Sequence, residues 1–473
     1  MTTSTTTIHR NKKTKEKLTF KKLAKKTLIS LGVFAFWILV WQLVWMLVGK
    51  DIIVPSPLDT AKRMGELLVT PTFWSVTASS VLRILAGYLC GMLFGVLLAV
   101  GTSASGVLNA LLKPVISIAR ATPVASLTVI IVVWVTNQQV PLFIVGLMVF
   151  PIIWSNTFEG IKNTDKKLLE MSRSFSVRKF SVFLHIYVPS VYPYFIAGAS
   201  SSLGLAWKSG IAAEILGSTQ NSVGQQLNDA KVYLDSQGKF AWTIVVIILS
   251  IIFERIVVSL LKRTSVHLPV KSADSVDCHS CDNQRAGYVK GENISKVYGD
   301  NVVLSDVSAS ILPGEVTAVK GVSGAGKTTL LMILSGLMKP DEGEVHSEGG
   351  VSFLFQEDRL LPWLTVRENI LFVNPCADTD MLLEMMDLSD TQDMYPDELS
   401  GGMKRRLAIA RTLAGKGDVV FLDEPFTGLD EELRRDVAQK VFAHLRTRAV
   451  AFISHDSEEV KEFATKEIII SKK

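Results

Sequence analysis

The stretch Gly321-Val322-Ser323-Gly324-Ala325-Gly326-Lys327-Thr328-Thr329 decides the fold. It fits the pattern G-x-x-x-x-G-K-[ST], a loop that cradles phosphate. Gly321, Gly324 and Gly326 let successive backbone N–H groups turn inward around a polyphosphate, where side chains would obstruct them. Lys327 supplies a point charge for outer phosphates, and the Thr328 hydroxyl a ligand for Mg²⁺. Ser323 and Thr329 belong to the same phosphate-facing set. The apolar run Val316–Val319 predicts a strand entering the loop, and Leu330–Leu337 a helix whose N-terminus faces the phosphates.

Around this loop the chain is long and apolar. Its 473 residues correspond to about three ordinary domains. Hydrophobic residues make up 48% and the mean hydropathy is +0.31, too apolar for a purely soluble protein. The net charge of +5 is modest and unevenly placed, which favours membrane orientation over nucleic-acid binding; no nucleic-acid partner is expected. Four cysteines, Cys90, Cys278, Cys281 and Cys376, are too few for a disulfide framework and suit a reducing cytosolic side.

Upstream of the loop, residues 1–27 carry nine Lys or Arg side chains against one acid, Glu16. An uncharged run from Leu28 to Gly49 follows, too long for a signal peptide and without a small-residue cleavage site. It predicts a first membrane span. Further spans are expected near Ser79–Thr102, Val107–Val135, Val140–Phe158, Tyr187–Leu216 and Ala241–Leu261, six in all. Gly87, Gly91 and Gly95 share one helix face, where backbones pack closely in lipid. Pro114, Pro123, Pro141 and Pro151 are tolerated where neighbouring helices satisfy the freed carbonyls. Basic residues between spans four and five (Lys162, Lys166, Lys167, Arg173, Arg178, Lys179) and after span six (Lys262, Arg263) place these segments and both chain ends in the cytosol. Intramembrane Arg83, Lys208 and Glu214 mark either a pathway or mutual pairing.

The expected organisation is thus a basic cytosolic segment (1–27), an all-α six-helix membrane domain (28–263), a polar linker (264–287) and a soluble α/β domain (288–473). Cys278-His279-Ser280-Cys281 in the linker reads as half a metal site or redox pair, or as two exposed thiols. No second Cys/His pair lies nearby to complete four ligands. In the α/β domain, short β-rich runs (Val316–Val319, Val351–Phe355, Val419–Leu422, Ala449–Ile453, Glu467–Ile470) alternate with helical stretches, implying a largely parallel sheet. One of them ends in Asp423-Glu424: Asp423 is placed to hold Mg²⁺, Glu424 to polarise the attacking water. Ser454-His455-Asp456 follows another, and neighbouring strand ends share one crevice with the phosphate loop.

Leu399-Ser400-Gly401-Gly402-Met403 leads into a helix over Lys404–Leu413, a second N-terminus suited to an anion. Together with Gly321–Thr328, Gln356, Asp423-Glu424, Asp430 and His455 in this order, it closely resembles the ATP-binding cassette of ABC transporters, over about residues 288–473. The resemblance implies ATP and Mg²⁺ as cofactors and a role for each position. Tyr298 would stack on adenine, and Gln356 would touch the metal and the membrane-facing surface. Asp430 would join the nucleotide-binding set, and His455 would sense the γ-phosphate. Ser400, Gly401 and Gly402 would grip the γ-phosphate of ATP held by a second cassette. Leu361-Pro362-Trp363-Leu364-Thr365-Val366 and Tyr395-Pro396 look like the nitrate/sulfonate/taurine importer branch. The region Gln356–Ser400 is short for the helical subdomain, and little follows His455, so no regulatory tail is expected.

The membrane half resembles permeases of the same branch. Leu168–Ser176, with Pro189 and Pro193, aligns with the cytosolic coupling loop of binding-protein-dependent importers, with Ser172 where that pattern prefers alanine and Ser176 where it prefers glycine. Leu205-Ala206-Trp207 and Ala212-Ala213-Glu214 strengthen the assignment. The resemblance implies half of an importer with permease and cassette fused, pairing with a second copy in a bacterial inner membrane and receiving a sulfonate, nitrate or related small solute from an extracytoplasmic binding protein. An exporter half shares the domain order but lacks a Glu170-type loop. A membrane-anchored ATPase that moves no solute would need no charged residues inside its spans.

Overall fold

The computed structural model describes Ile29 and residues 31–263, 268–271 and 287–470. The segment 1–27 and nearly all of the linker, with Cys278 and Cys281, lie outside the described residues. Two compact units emerge. One runs to Glu159 and resumes at Tyr194 for the rest of the membrane stretch; the other joins Gly160–Pro193 to the residues after the linker.

The helices of the first stretch are α1 (Leu31–Val48), α2 (Pro57–Val69), α3 (Pro71–Ala104), α4 (Gly106–Ala121), α5 (Val124–Val132), α6 (Val140–Lys162), α7 (Lys166–Ser174), α8 (Lys179–Val182), α9 (Val188–Leu216), α10 (Val223–Val232) and α11 (Ser236–Arg263). A π-helical turn over Phe183–Tyr187 joins α8 to α9. Local chemistry sets several starts: Ser56 and Thr70 each cap a helix that opens on proline.

Among the described residues, five helices are long and apolar enough to cross a membrane, and the pair α4 and α5 makes a sixth span only if counted as one broken crossing, bent by 103°. This corrects the single helix expected over Val107–Val135. Thr122 precedes Pro123, whose ring disfavours helical backbone in the residue before it, and Thr122 is extended with ψ 128°. Pro114 and Pro151 stay inside α4 and α6.

The glycine face of α3 packs on α6 as its spacing predicts. A Cβ on Gly91 would lie 2.9 Å from both the Gly146 carbonyl and the Val149 Cβ, so only glycine permits this approach. The intramembrane charges sort themselves. Glu214 is fully buried, and its Oε2 accepts from Ser80 Oγ at 2.9 Å and Gly224 N at 3.0 Å. Its Oε1 stands 3.6 Å from Arg83 Nη1. Lys208 on α9 is exposed.

The second unit holds β1 (Tyr288–Tyr298), β2 (Asn301–Ile311), β3 (Val316–Gly321), α12 (Lys327–Leu334), β4 (Glu342–Glu348), β5 (Val351–Leu354), α13 (Val366–Val373), α14 (Thr379–Met385), α15 (Gly401–Ala414), β6 (Val419–Asp423), α16 (Glu431–Leu445), β7 (Ala449–Ile453), α17 (Ser457–Phe463) and β8 (Lys466–Ile470). Strands β5-β6-β7-β3-β8 form one parallel sheet in that order, comprising all five runs read from the sequence. Every residue of β6 and β7 is buried, as a sheet covered on both faces requires. A separate antiparallel sheet, β2-β1-β4, has no counterpart in the sequence reading. Its strands carry charges such as Lys290, Glu292, Glu342 and Glu344, which break the alternation that marks a strand.

Gly160–Pro193 joins this unit through apolar packing. Leu168, Met171, Phe175 and Ile186 share one buried cluster with Phe353, Phe355, Leu361, Leu364 and Phe372. Ser176 adopts φ 53°, the left-handed turn for which the coupling-loop pattern prefers glycine. Of the described cysteines, Cys90 is free and Cys376 is disulfide-bonded, which departs from the reducing surroundings expected from the sequence. Cysteine number says nothing about which sulfurs a fold brings together.

Candidate active site

The phosphate loop links β3 to α12 in the predicted order. Gly324 and Gly326 have φ of 76° and 91°, and a Cβ on Gly326 would come within 2.9 Å of the Val303 carbonyl. The loop therefore needs glycine both for backbone sign and for room. Lys327 is almost buried and folds back, its Nζ donating to the carbonyls of Gly321 at 2.9 Å and Val322 at 3.2 Å.

Next to the loop, β6 delivers Asp423 and Glu424. Asp423 is 1% exposed, and its Oδ1 has no hydrogen-bond partner among the described residues. Burial pushes its carboxyl above the ordinary range, opposed by a hydrogen bond from Thr328 and raised further by the nearby Glu424. An ionised carboxylate in such a place calls for a cation. The Thr328 hydroxyl and the glycine cradle make that cation and a polyphosphate chemically coherent occupants of the same spot.

Glu424 sits at φ 49°, a strained backbone for a residue with a side chain. Its two oxygens are held from opposite sides. Oε1 lies 3.1 Å from His455 Nε2, while Oε2 accepts from Gln356 Nε2 at 3.3 Å and Thr427 Oγ1 at 3.4 Å. Four sequence-read residues, Gln356, Asp423, Glu424 and His455, thus converge beside Lys327 and Thr328. Others do not. Tyr298 ends β1 with its ring half exposed and its hydroxyl on Met338 Sδ at 3.0 Å. Asp430 caps α16, accepting from Leu433 N, and Ser400 caps α15, accepting from Met403 N. No hydrogen bond among the described residues ties Ser400–Gly402 to the phosphate loop.

Sequence reasoning missed three arginines. Arg405 is buried against the ends of β5 and β6. Arg411 donates to the carbonyls of Asp358 and Arg359, and burial lowers its pKa to about 10. Arg359 stacks 3.6 Å from the centre of the Phe355 ring and pairs with Glu170 of α7 at 2.9 Å. Lys167 of α7 reaches Glu357 at 2.7 Å, and Trp363 donates to the His185 carbonyl at 2.7 Å. A signal existed for two of them: Arg405 and Arg411 fall on the apolar face of α15 with Ala408 and Thr412, where a charge is out of place.

Comparison with known proteins gives the class. Residues 304–427 match the ABC transporter family, and residues 91–266 match the binding-protein-dependent transport system inner membrane component. Over 201 residues the chain is 36% identical to a probable sulfate/thiosulfate import ATP-binding protein of Chlorella vulgaris, covering 38% of this chain and 85% of that one. An aliphatic sulfonates import ATP-binding protein of Rhodococcus jostii is 37% identical, over 37% of this chain and 75% of its own. The sulfate/thiosulfate import ATP-binding protein of Synechocystis is 35% identical over 38% of this chain, which spans 57% of its length. The chain belongs to the ABC transporters. It is a membrane protein that fuses an importer-type permease with an ATP-binding, ATP-hydrolysing cassette coupled to transport.

Proposed function

We propose that the chain is half of an ATP-driven importer, working as a pair of identical chains in a bacterial inner membrane with both termini in the cytoplasm. A solute-binding protein on the far side would deliver a sulfonate, nitrate or related small metabolite. The observation that carries this reading is the Arg359–Glu170 pair: a helix of the permease stretch grips the loop that begins at Gln356. Motion of that loop, which touches Glu424, is thereby passed to α7. The solute class follows the relatives' names, and exposed Lys208 in the span Lys179–Leu216 suits an anion.

In this reading the backbone of Gly321–Gly326, with Ser323 and Thr329, surrounds the phosphates, and Lys327 leaves its two loop carbonyls to meet the outer ones. Thr328, Asp423 and Gln356 hold Mg²⁺, which supplies charge neutralisation on the phosphates. Glu424 accepts a proton from the attacking water at an oxygen oriented by His455 and Gln356. Tyr298 offers its exposed ring to adenine, and Asp430 keeps α16 in register beside the site.

Ser400–Gly402 crown their own helix and serve no site in the same chain, so a second chain supplies that face across a two-fold axis. The test is complementation. A mixed pair of Lys327→Ala and Ser400→Arg chains has one composite site with both lesions and one with neither. It should hydrolyse ATP where each parent pair does not; a mixed pair as inactive as its parents counts against shared sites. For the solute, ATPase stimulation by a sugar or peptide and by no sulfonate would rule the anion assignment out.

A further inference from the structure

Arg405 lies on the second turn of α15 and is 4% exposed. Its Nε donates to the Pro425 carbonyl at 2.8 Å. Nη1 donates to the carbonyls of Phe355 at 2.8 Å and Gln356 at 3.1 Å, and meets Asp358 Oδ1 at 3.2 Å. Nη2 donates to the carbonyls of Asp423 at 2.9 Å and Glu424 at 2.7 Å. One planar guanidinium therefore holds the carbonyl rims of two loops, the one entering Gln356 and the one carrying Asp423 to Pro425.

The bonds from Nη2 bracket the Cα of Glu424, the residue at φ 49°. On the other side its N–H donates to the Ile453 carbonyl at 3.1 Å. A left-handed backbone at a residue with a side chain is strained and persists only where the surroundings over-determine it. Relaxing it would swing the carboxylate away from His455 and Gln356.

We propose that Arg405 is a positioning residue for hydrolysis: its guanidinium fixes the left-handed turn at Glu424 and aligns that carboxylate with the Gln356 loop. The inference rests on Glu424 being the group that activates water. It also assigns α15 a second duty. The helix whose N-terminus serves the partner's nucleotide holds the water-activating residue of its own chain.

The test compares the full-length wild type, Arg405→Gln, Arg405→Lys and Glu424→Gln in lipid nanodiscs, by steady-state Mg-ATP hydrolysis and equilibrium binding of the fluorescent analogue TNP-ATP. Arg405→Gln is expected to lower kcat about ten- to a hundredfold, with KM and TNP-ATP affinity held within about twofold. Arg405→Lys, which keeps the charge but not the fork, should recover part of the loss. An Arg405→Gln kcat within about twofold of wild type would overturn the proposal. If Arg405→Gln fails to bind TNP-ATP, Arg405→Lys is judged by the same criterion, and failure of both makes the residue structural and overturns it. Glu424→Gln separates the two claims. Normal turnover there refutes the water-activating assignment, whereas a dead Glu424→Gln beside a fully active Arg405→Gln refutes the clamp alone.

Discussion

Two buried acids, Glu214 in the membrane unit and Asp423 in the cassette, each keep one oxygen without a hydrogen bond and differ in what faces it. Glu214 has a hydroxyl and a backbone N–H on one oxygen; the other makes no hydrogen bond among the described residues but has the Arg83 guanidinium at 3.6 Å. Asp423 is equally buried, yet its Oδ1 meets no donor among the described residues, although Lys327 and Arg405 lie close enough to favour its charge. A buried carboxylate whose free oxygen faces a guanidinium of its own chain already has its countercharge; one with no such partner at ion-pair distance is a place for a cation brought from outside. The first is a structural joint between α3, α9 and α10, which removes Arg83 from the candidates for a free pathway charge and leaves Lys208.

The sharpest way to break this contrast is at the catalytic end. Asp423→Asn and Glu424→Gln should each lower steady-state ATP turnover by about two to four orders of magnitude. Glu424→Gln should keep nucleotide affinity, while Asp423→Asn should lose the Mg²⁺-dependent part of it, read by titration with and without the metal.

Smaller but still large is the effect at the joint. Glu214→Ala leaves Arg83 without a countercharge, though still bonded to Gln138, Gln220 and Asn221, and takes the acceptor from Ser80 and Gly224. It should cost about 3 kcal/mol, seen as a lower melting temperature in detergent. Pairing it with Arg83→Met should recover part of that loss, because the two side chains act as a unit.

Nucleotide-free stability supplies the opposite sign. Burial raises the Asp423 carboxyl above the ordinary 3.8, so its protonated form is the one the fold prefers. A raised folded value contributes stability that is full below the unfolded value and lost as pH rises through the folded one. Asp423→Asn should therefore raise the melting temperature of the nucleotide-free protein above that window and flatten its pH dependence. Mg-ATP stabilisation of the wild type should grow as pH climbs across the same window. If Asp423→Asn destabilised the empty protein as Glu214→Ala does, the two acids would not differ in kind.

The smallest effect belongs to the coupling turn. Ser176 holds φ 53°, so Ser176→Gly relieves strain while loosening the unfolded chain. The net change should stay within about 1 kcal/mol in either direction, with ATPase rate unchanged.

Much of the cassette was legible from residues 316–329, 419–424 and 449–456, because phosphate loops and buried parallel strands are encoded locally. Glycines must sit where φ is positive, and strands covered on both faces must be apolar throughout. The face formed by Gly87, Gly91 and Gly95 was legible for a similar reason: its period alone places it on one side of a helix. The antiparallel sheet was not, since its strands are half exposed and richly charged. What the sequence determined by itself was thus the set of elements and the chemistry at their ends. Tertiary structure alone decided which carboxylate received partners, that Gly160–Pro193 packs with the cassette, and that Arg405 spans two loops about 20 and 50 residues away. A hydrogen bond across such distances depends on where the chain returns, and no local period records that.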